Sequence, residues 1–403
     1  MKNKKGIIFI VTMIIAASIA VESAVAVTAD SAVILGDADG DNDVTITDAT
    51  AIQRHLAEFL QLDGDALRAA DADRDNSISI LDATCIQRYL ASLEVIYPIG
   101  APLPDESATE EATSEIQNGM PAIAAGQTAV VKSLYTDSNG DSAVIPTAFT
   151  VSAKADEQTI AQGLVITGPD GSEFVWVPTA ATPLTMRNFG SYFSGGSSLS
   201  GYYDETDLDT YKEMEASVEE YGGFYMGRFE ASQGENNLPV SKRITDSTQG
   251  RIWVQFSPQD ATIACQKMYE GNDDVQGFFP WGANWDTTLQ WLIDSGCKIK
   301  SEITSDSTSW GNYSNDTFSE GARGNTTGMW EEAKANNIYD LAGNNWEWTQ
   351  ERYGSGNYVM RGGGYNLMGG ACPGNYYPAA IRDPLPGNNH HPNVVFRAAL
   401  YIK

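Results

Sequence analysis

The sequence predicts a multidomain chain in which a small all-α unit of two loop-helix repeats precedes a larger, irregular α+β domain. Three observations carry this. The stretch GDADGDNDVTITDATAIQRHL (residues 36–56) returns 34 residues later as ADADRDNSISILDATCIQRYL (70–90). From Tyr97 to about Gln127 the text is rich in Pro, Ala, Ser, Thr and Glu and has no apolar period, which marks a linker. All nine tryptophans lie beyond it, from Trp176 to Trp348. The large hydrophobic core therefore belongs to one C-terminal domain, residues 128–403.

At the start of the chain, Lys2, Lys4 and Lys5 precede an apolar run from Ile7 to Val21, and Ala24-Val25-Ala26 offers a small-residue cleavage site. This order is that of a secretory signal over residues 1–26, and the mature protein is expected outside the cell. The apolar run is short for a membrane span and no cysteine follows it to take a lipid, so no membrane partner is expected once the leader is removed. The formal net charge is -28, which argues against nucleic acid as a partner and fits a solvated extracellular surface. Four cysteines do not make a disulfide framework in 403 residues. Cys85 reads as a buried small apolar residue of the second repeat. Cys265 and Cys297 are able to pair, which would leave Cys372 over; the sequence leaves this open.

The repeated unit spans residues 33–96. In each copy side-chain oxygens recur at loop positions 1, 3, 5, 9 and 12: Asp37, Asp39, Asp41, Thr45 and Asp48, then Asp71, Asp73, Asp75, Ser79 and Asp82. Position 7, Asp43 and Ser77, completes each candidate set. A hard cation such as calcium takes about six to eight oxygens, and a short loop wrapped around it supplies them from alternate residues. Position 6 is Asn42 or Asn76, and asparagine tolerates a left-handed turn. Position 12 is Asp, whose short side chain asks for a contracted loop. After each loop, Ile52 and Leu56, or Ile86 and Leu90, recur at i, i+4 as a core side. Gln53-Arg54 and Gln87-Arg88 occupy another face, available to a partner.

These loops and helices resemble the type I dockerin of cellulosomal proteins. The resemblance implies two calcium ions, a pair of near-symmetric helices, and a cohesin module of a scaffoldin as partner. Loop positions 10 and 11, which help choose the cohesin in that family, are Ile46-Thr47 and Ile80-Leu81.

Beyond the linker, strand-like runs such as GLVITGPDGSEFVWVP and GGFYMGRFEAS alternate with Gly- and Asn-rich loops. Helix is expected around Pro258–Tyr269 and Trp285–Ser295. DSNGD at Asp137–Asp141 imitates the opening of a calcium loop, but position 12 would be Ala148, so a hairpin turn is expected. The sequons at Asn312, Asn315 and Asn325 read as polar loop text. In NIYDLAGNNWEWTQE (337–351), Gly343 permits a tight turn, Asn344, Asn345 and Glu347 supply oxygens, and Trp346 and Trp348 share one face of a strand.

That motif, with VMRGGGYN, Arg382, VVFRAALYI, FVWVP, FYMGRFEAS and FSPQDATIACQKM, resembles the formylglycine-generating-enzyme or sulfatase-modifying-factor family over most of residues 165–403. The resemblance implies an irregular mixed fold related to C-type lectin-like domains, with calcium near Asn344, Asn345 and Glu347. The family's oxidase chemistry depends on two copper-holding cysteines five residues apart. Aligned on RGGGY (361–365), the second is Cys372 and the first is Leu367, which cannot ligate copper. The histidine-rich iron site of the ergothioneine-type sulfoxide synthases has no counterpart in His55 and the adjacent His390-His391. A glycoside hydrolase needs two carboxyls at a set separation, and Glu213, Glu219 and Glu230 offer no defined pair. The expected role of this domain is non-catalytic binding of carbohydrate or another secreted protein through loops. Tyr202, Tyr203, Tyr313, Tyr376 and Tyr377 are the candidate exposed aromatics. An atypical oxidase using Cys372 is the alternative, and a glycoside hydrolase a more distant one.

Overall fold

The computed structural model describes residues 33–57, 59–74, 78–93, 95, 99–103, 119–191, 198–246, 248–314, 326–369, 377–387 and 391–403. The expected leader, most of the linker, Asp75, Ser77, Asn315, Asn325, Cys372, Tyr376 and His390 lie outside the described residues. Among the described residues, no helix is long and apolar enough to cross a membrane.

In the N-terminal module, helix α1 (Ile46–Leu56) starts where the Thr45 hydroxyl accepts from the Thr47 N–H and the Asp48 carboxylate accepts from the Thr45 N–H at 2.7 Å. The second repeat copies this. Ser79 caps helix α3 (Ile80–Leu90), and Asp82 accepts from the Ser79 N–H at 2.8 Å. Such a cap contributes about 1 kcal/mol. Between them lies a short helix, α2 (Gly64–Ala70), which the repeat pattern did not reveal. The core is small: Leu35, Ala49, Ile52, Leu62, Ala83, Ile86 and Ile99 are its buried centre. Leu56 and Leu90, expected on this core side, are instead 42% and 41% exposed. They sit on the last turn of their helices, beyond the reach of a core that closes around Ile52 and Ile86.

Residues 99–103, expected to open the linker, belong to this module. Leu35 N–H donates to Ala101 O, Gly100 N–H to Leu35 O and Leu103 N–H to Val33 O, at 2.9, 2.8 and 2.6 Å. Gly36 makes the approach possible. It has φ +94°, and a Cβ there would meet Ile99 at 2.7 Å, which no L side chain accommodates.

The C-terminal domain is more regular than its loop-rich sequence predicts. Strands β1 (Ala122–Ile123), β2 (Ser133–Thr136) and β3 (Ser142–Ile145) form a small sheet. The β2–β3 turn is the expected hairpin. The buried Asp137 carboxylate accepts from the N–H groups of Asn139, Asp141 and Ile160. Six strands make the main sheet: β4 (Thr150–Val151), β5 (Val165–Thr167), β6 (Glu173–Pro178), β8 (Gly223–Gly227), β18 (Ala399–Ile402) and β11 (Val275–Phe278), in the order β11-β18-β8-β6-β5-β4. Apart from Glu173 at the start of β6, its central strands carry no charged residue, because both faces are covered. Phe174, Trp176, Tyr225, Leu400 and Ile402 enter one buried cluster, while Val175, Val177, Phe224, Met226, Ala399 and Tyr401 enter the other. This continuous pattern is what a strand buried on both sides requires.

Helix α4 (Asp209–Tyr221) packs on β8 and β18, α5 (Pro258–Gln266) on β11, and α6 (Gly282–Asp294) on β6, while α7 (Lys300–Thr304) is a short turn of helix. The sequence reading missed α4, although Tyr211, Met214, Val218 and Tyr221 are buried at helical spacing. Its acidic surface hides that stripe. Two small hairpin pairs, β9 (Ala231–Gln233) with β10 (Pro239–Ser241) and β12 (Lys334–Ala335) with β13 (Ile338–Tyr339), precede the second sheet. That sheet is centred on β14 (Trp346–Tyr353), flanked by β15 (Asn357–Arg361), β16 (Asp383–Pro386) and β17 (Val394–Phe396), with β7 (Tyr202–Tyr203) also pairing with β14.

Candidate metal centres and partner face

At the head of β14, the residues assigned to calcium form a closed polar centre. Both oxygens of the buried Glu347 are held by the Arg397 guanidinium, at 2.6 and 3.1 Å. The Asn344 amide donates to Glu230 at 2.6 Å and to the Thr326 carbonyl at 2.7 Å, and its oxygen accepts from Asn312 at 2.7 Å. Asn345 gives both its backbone N–H and its amide to Glu230. This corrects the expectation: a calcium shell needs oxygens turned toward one point, and here amide nitrogens are turned toward a carboxylate while a guanidinium occupies Glu347. Gly343 does make the expected tight turn, with φ +71° and the Asn312 backbone pressed against it. Trp346 and Trp348 do share a strand face. Burial pushes the Glu230 carboxyl well above its ordinary range; repulsion from Asp340 and Glu347 adds to this and Arg397 opposes it.

A second buried charge cluster was not foreseen. Arg361 and Arg382 each bridge Asp286 on α6 and Glu351 on β14, and all four side chains are fully buried. Beside them Asp204, also buried, accepts from the N–H groups of Gly282 and Ala283 at 2.9 and 2.8 Å, holding the start of α6. Its carboxyl is pushed up to about 7 by desolvation first and by repulsion from Glu351 second, against the lowering effect of the two N–H donors. A carboxyl raised in the fold from 3.8 favours folding while protonated, and that contribution disappears as pH rises through about 7. The C-terminal domain is thus expected to be about 2 kcal/mol more stable at pH 5.5 than at pH 8 through this group. Urea unfolding at the two pH values measures it, and Asp204→Asn should remove the difference. Equal pH dependence in wild type and variant would refute the assignment.

Other candidates separate. Glu213 and Glu219 lie on the exposed side of α4 while Glu230 is buried in the core, so these carboxylates do not meet. Tyr313 and Tyr202, expected at the surface, are buried; Tyr203 is exposed and Tyr377 half-buried. Asn312 is wholly buried, closing the first sequon to modification. Cys265 and Cys297 carry no disulfide, and burial pushes the Cys265 thiol far up, leaving it inert. His391 is exposed, and the His55 ring accepts from the Leu62 N–H.

The repeated loops behave differently. Ligand oxygens of Asp37, Asp39 and Asp48 lie within 4.8 Å of one another, as do those of Asp71, Asp73 and Asp82. Asp37 accepts from the N–H groups of Asp41 and Asn42, and Asn42 takes the left-handed turn at φ +68°. Asp48 and Asp82 turn one oxygen back to the N–H of Asp39 and Asp73, across the mouth of each loop. Three carboxylates brought this close repel one another unless a cation lies between them. The donor set, all oxygen and mostly anionic, suits calcium.

The helices leading from these loops present matched outer faces. Ile46 and Ile80 are 57% and 56% exposed and Leu81 57%. Thr47, Gln53, Arg54, Gln87 and Arg88 are exposed beside them. Phe59 and Leu93, which the sequence reading passed over, are exposed at the same repeat offset.

Residues 35–91 match the family model of the dockerin type I domain. No curated protein matches the chain. Among solved structures the chain is similar to Treponema denticola variable protein 1, with 14% identity and a TM-score of 0.29 over 44% of this chain and 84% of that one. It is also similar to CarF, with 14% identity and a TM-score of 0.32 over 45% of this chain and 87% of that one.

The dockerin match ends at residue 91, short of the strand-like return over 99–103 that closes the module. In the first dockerin loop, Asp37, Asp39 and Asp48 with Asp41, Asp43 and Thr45 would hold the ion. The second loop would use Asp71, Asp73, Ser79 and Asp82, with Asp75 and Ser77 lying outside the described residues. When bound, calcium would supply the positive charge that keeps each set of carboxylates together. Among the described residues no comparable carboxylate group occurs in the C-terminal domain.

Proposed function

We propose that this protein is secreted and attaches through its calcium-loaded dockerin to a cohesin module of a scaffoldin, as a component of a cellulosome-type assembly. The observation that carries this reading is one arrangement present twice: two acidic triads, each preceding a helix whose exposed residues recur at the same offset. A small module that leaves isoleucine and leucine exposed on its helices, rather than in its core, has an apolar surface to cover. The test is the affinity of the intact chain for a recombinant type I cohesin. Ile46→Asp with Ile80→Asp should weaken binding by about 2 kcal/mol or more, roughly thirtyfold, without loss of helicity. Unchanged affinity in that double variant would remove the helix faces from the interface.

For the C-terminal domain, the reading is non-catalytic recognition of carbohydrate or of another secreted protein, on a formylglycine-generating-enzyme-like scaffold. Two observations support it. Leu367 packs as a half-buried apolar residue against the core, at the position where the family's oxidase chemistry needs a thiolate. Of the candidate acids, Glu213 and Glu219 lie on the exposed side of α4, while Glu230 is buried and accepts from the Asn344 and Asn345 amides.

A further inference from the structure

Position 23 of each repeat, counted from Asp37 and Asp71, carries a large apolar side chain that the module's own core does not use: Phe59 in the first copy and Leu93 in the second. They are 79% and 55% exposed, and among the described residues Phe59 is the most exposed large apolar residue of the module. The neighbouring positions differ between the copies, Glu58 against Ser92 and Leu60 against Glu94, while this position stays apolar in both. A single exposed apolar residue is ordinary. The same one at the same place in both copies is not.

The backbone explains the outward placement. Leu93 N–H donates to Arg88 O at 2.9 Å and Ser92 N–H to Tyr89 O at 2.9 Å, with Ser92 in the left-handed region at φ +55°. In a helix end closed by this pair of bonds, the residue after the left-handed one usually packs an apolar side chain back onto the last turn. Phe59 N–H donates to Arg54 O at 2.8 Å, the counterpart of the Leu93 bond. The usual contact has no apolar partner here, because the positions beneath are Gln53 and Arg54, or Gln87 and Arg88, all of them exposed. The chain does not leave the module at this point either: Leu60 and Val95 turn back against the core around Ile52 and Ile86. Phe59 and Leu93 are therefore held outside the core by the ends of α1 and α3.

We propose that Phe59 and Leu93 are apolar anchors of the partner-binding surface, covered by an apolar part of the cohesin just past the end of the helix that it contacts. The inference deepens the docking reading and rests on it. The exposed run begins at Ile46 or Ile80 on the first turn and passes through Gln53-Arg54 or Gln87-Arg88. It continues to the anchor, whose N–H the Arg54 or Arg88 carbonyl holds. Leu56 and Leu90, three residues before the anchors, are 42% and 41% exposed and add apolar area. A large apolar side chain on a backbone already fixed by hydrogen bonds has little freedom left to lose on binding, which is what an interface anchor requires. A second copy of this chain is disfavoured as the occupant, because a net charge of -28 makes the copies repel.

The test uses the full chain in calcium and a recombinant type I cohesin. Hydroxyl-radical footprinting of the free chain should label Phe59 and Leu93 strongly, and the cohesin should protect at least one of them severalfold. Phe59→Ser with Leu93→Ser should weaken binding about tenfold or more at unchanged helicity, whereas Phe59→Leu, which copies the second repeat into the first, should stay within about threefold of wild type. Footprinting needs no variant, so it decides even where the double substitution disturbs the fold. Equal labelling of both residues with and without cohesin would overturn the anchors and leave the docking reading standing. So would full affinity in the double serine variant while Ile46→Asp with Ile80→Asp weakens binding. Protection that grows with the concentration of the chain alone would assign the surface to a second copy and overturn the proposal. A wild-type chain that the cohesin does not bind would overturn both.

Discussion

Chelating calcium from the intact chain should unfold its N-terminal module and abolish cohesin binding, while the tryptophan-rich domain stays folded. The dockerin core amounts to a handful of aliphatic residues around Ile52 and Ile86, too little to outweigh the entropy of ordering the module. In so small a unit the binding energy of the ion is folding energy, and a site loaded at a thousand times its dissociation constant adds about 4 kcal/mol. Asp37→Ala combined with Asp71→Ala should reproduce the effect with calcium present. Asp37 also receives the N–H groups of Asp41 and Asn42, so its loss opens the loop as well as removing a ligand. Far-UV circular dichroism and cohesin affinity report the two consequences. Unaltered helicity and affinity in the double variant would refute the metal assignment.

The second large effect concerns the C-terminal domain. Removing Arg382 by substitution with Met should destabilise it by about 3–5 kcal/mol, because Asp286 and Glu351 would each lose a partner while remaining buried. Glu351 accepts from Arg382 at 2.6 Å and from Arg361 at 2.8 Å, and Asp286 accepts from Arg361 at 2.6 Å as well as from Arg382. The four groups therefore form a ring, and Arg382→Met with Asp286→Asn should cost less than the two single losses added together. Urea unfolding followed by tryptophan fluorescence isolates this domain, since every tryptophan lies in it. A single-variant cost under about 1 kcal/mol would contradict the ring's structural weight.

How much of this was legible in the sequence depends on the range of the contacts involved. The two acidic triads were legible because their carboxylates are local, spaced by the geometry of one turn of chain, and the duplication removed the ambiguity of a single match. The hairpin at Asp137 and the turn at Gly343 were legible for the same reason. Leu56 and Leu90 were misplaced because a helical stripe shows which side could be buried, not how far the core extends along it. The partners of Glu347, Arg361 and Arg382 come from elements tens of residues away, and no local pattern encodes such pairings. Arg382 could be noticed only as an isolated basic residue in apolar and small-residue text. Asn344 and Asn345 carry the oxygens that calcium would want, but their long-range partners Glu230 and Asn312 decide the direction in which the amides turn.

The backbone pairing of Val33–Leu35 with Gly100–Leu103 makes the helical module a pendant: the chain enters and leaves it at neighbouring points, as a cord passes through a single eyelet. Pulling on the two emerging segments would unzip that short pairing before it loads α1 or α3. Because entry and exit coincide, the same unit can be appended to either end of an unrelated protein.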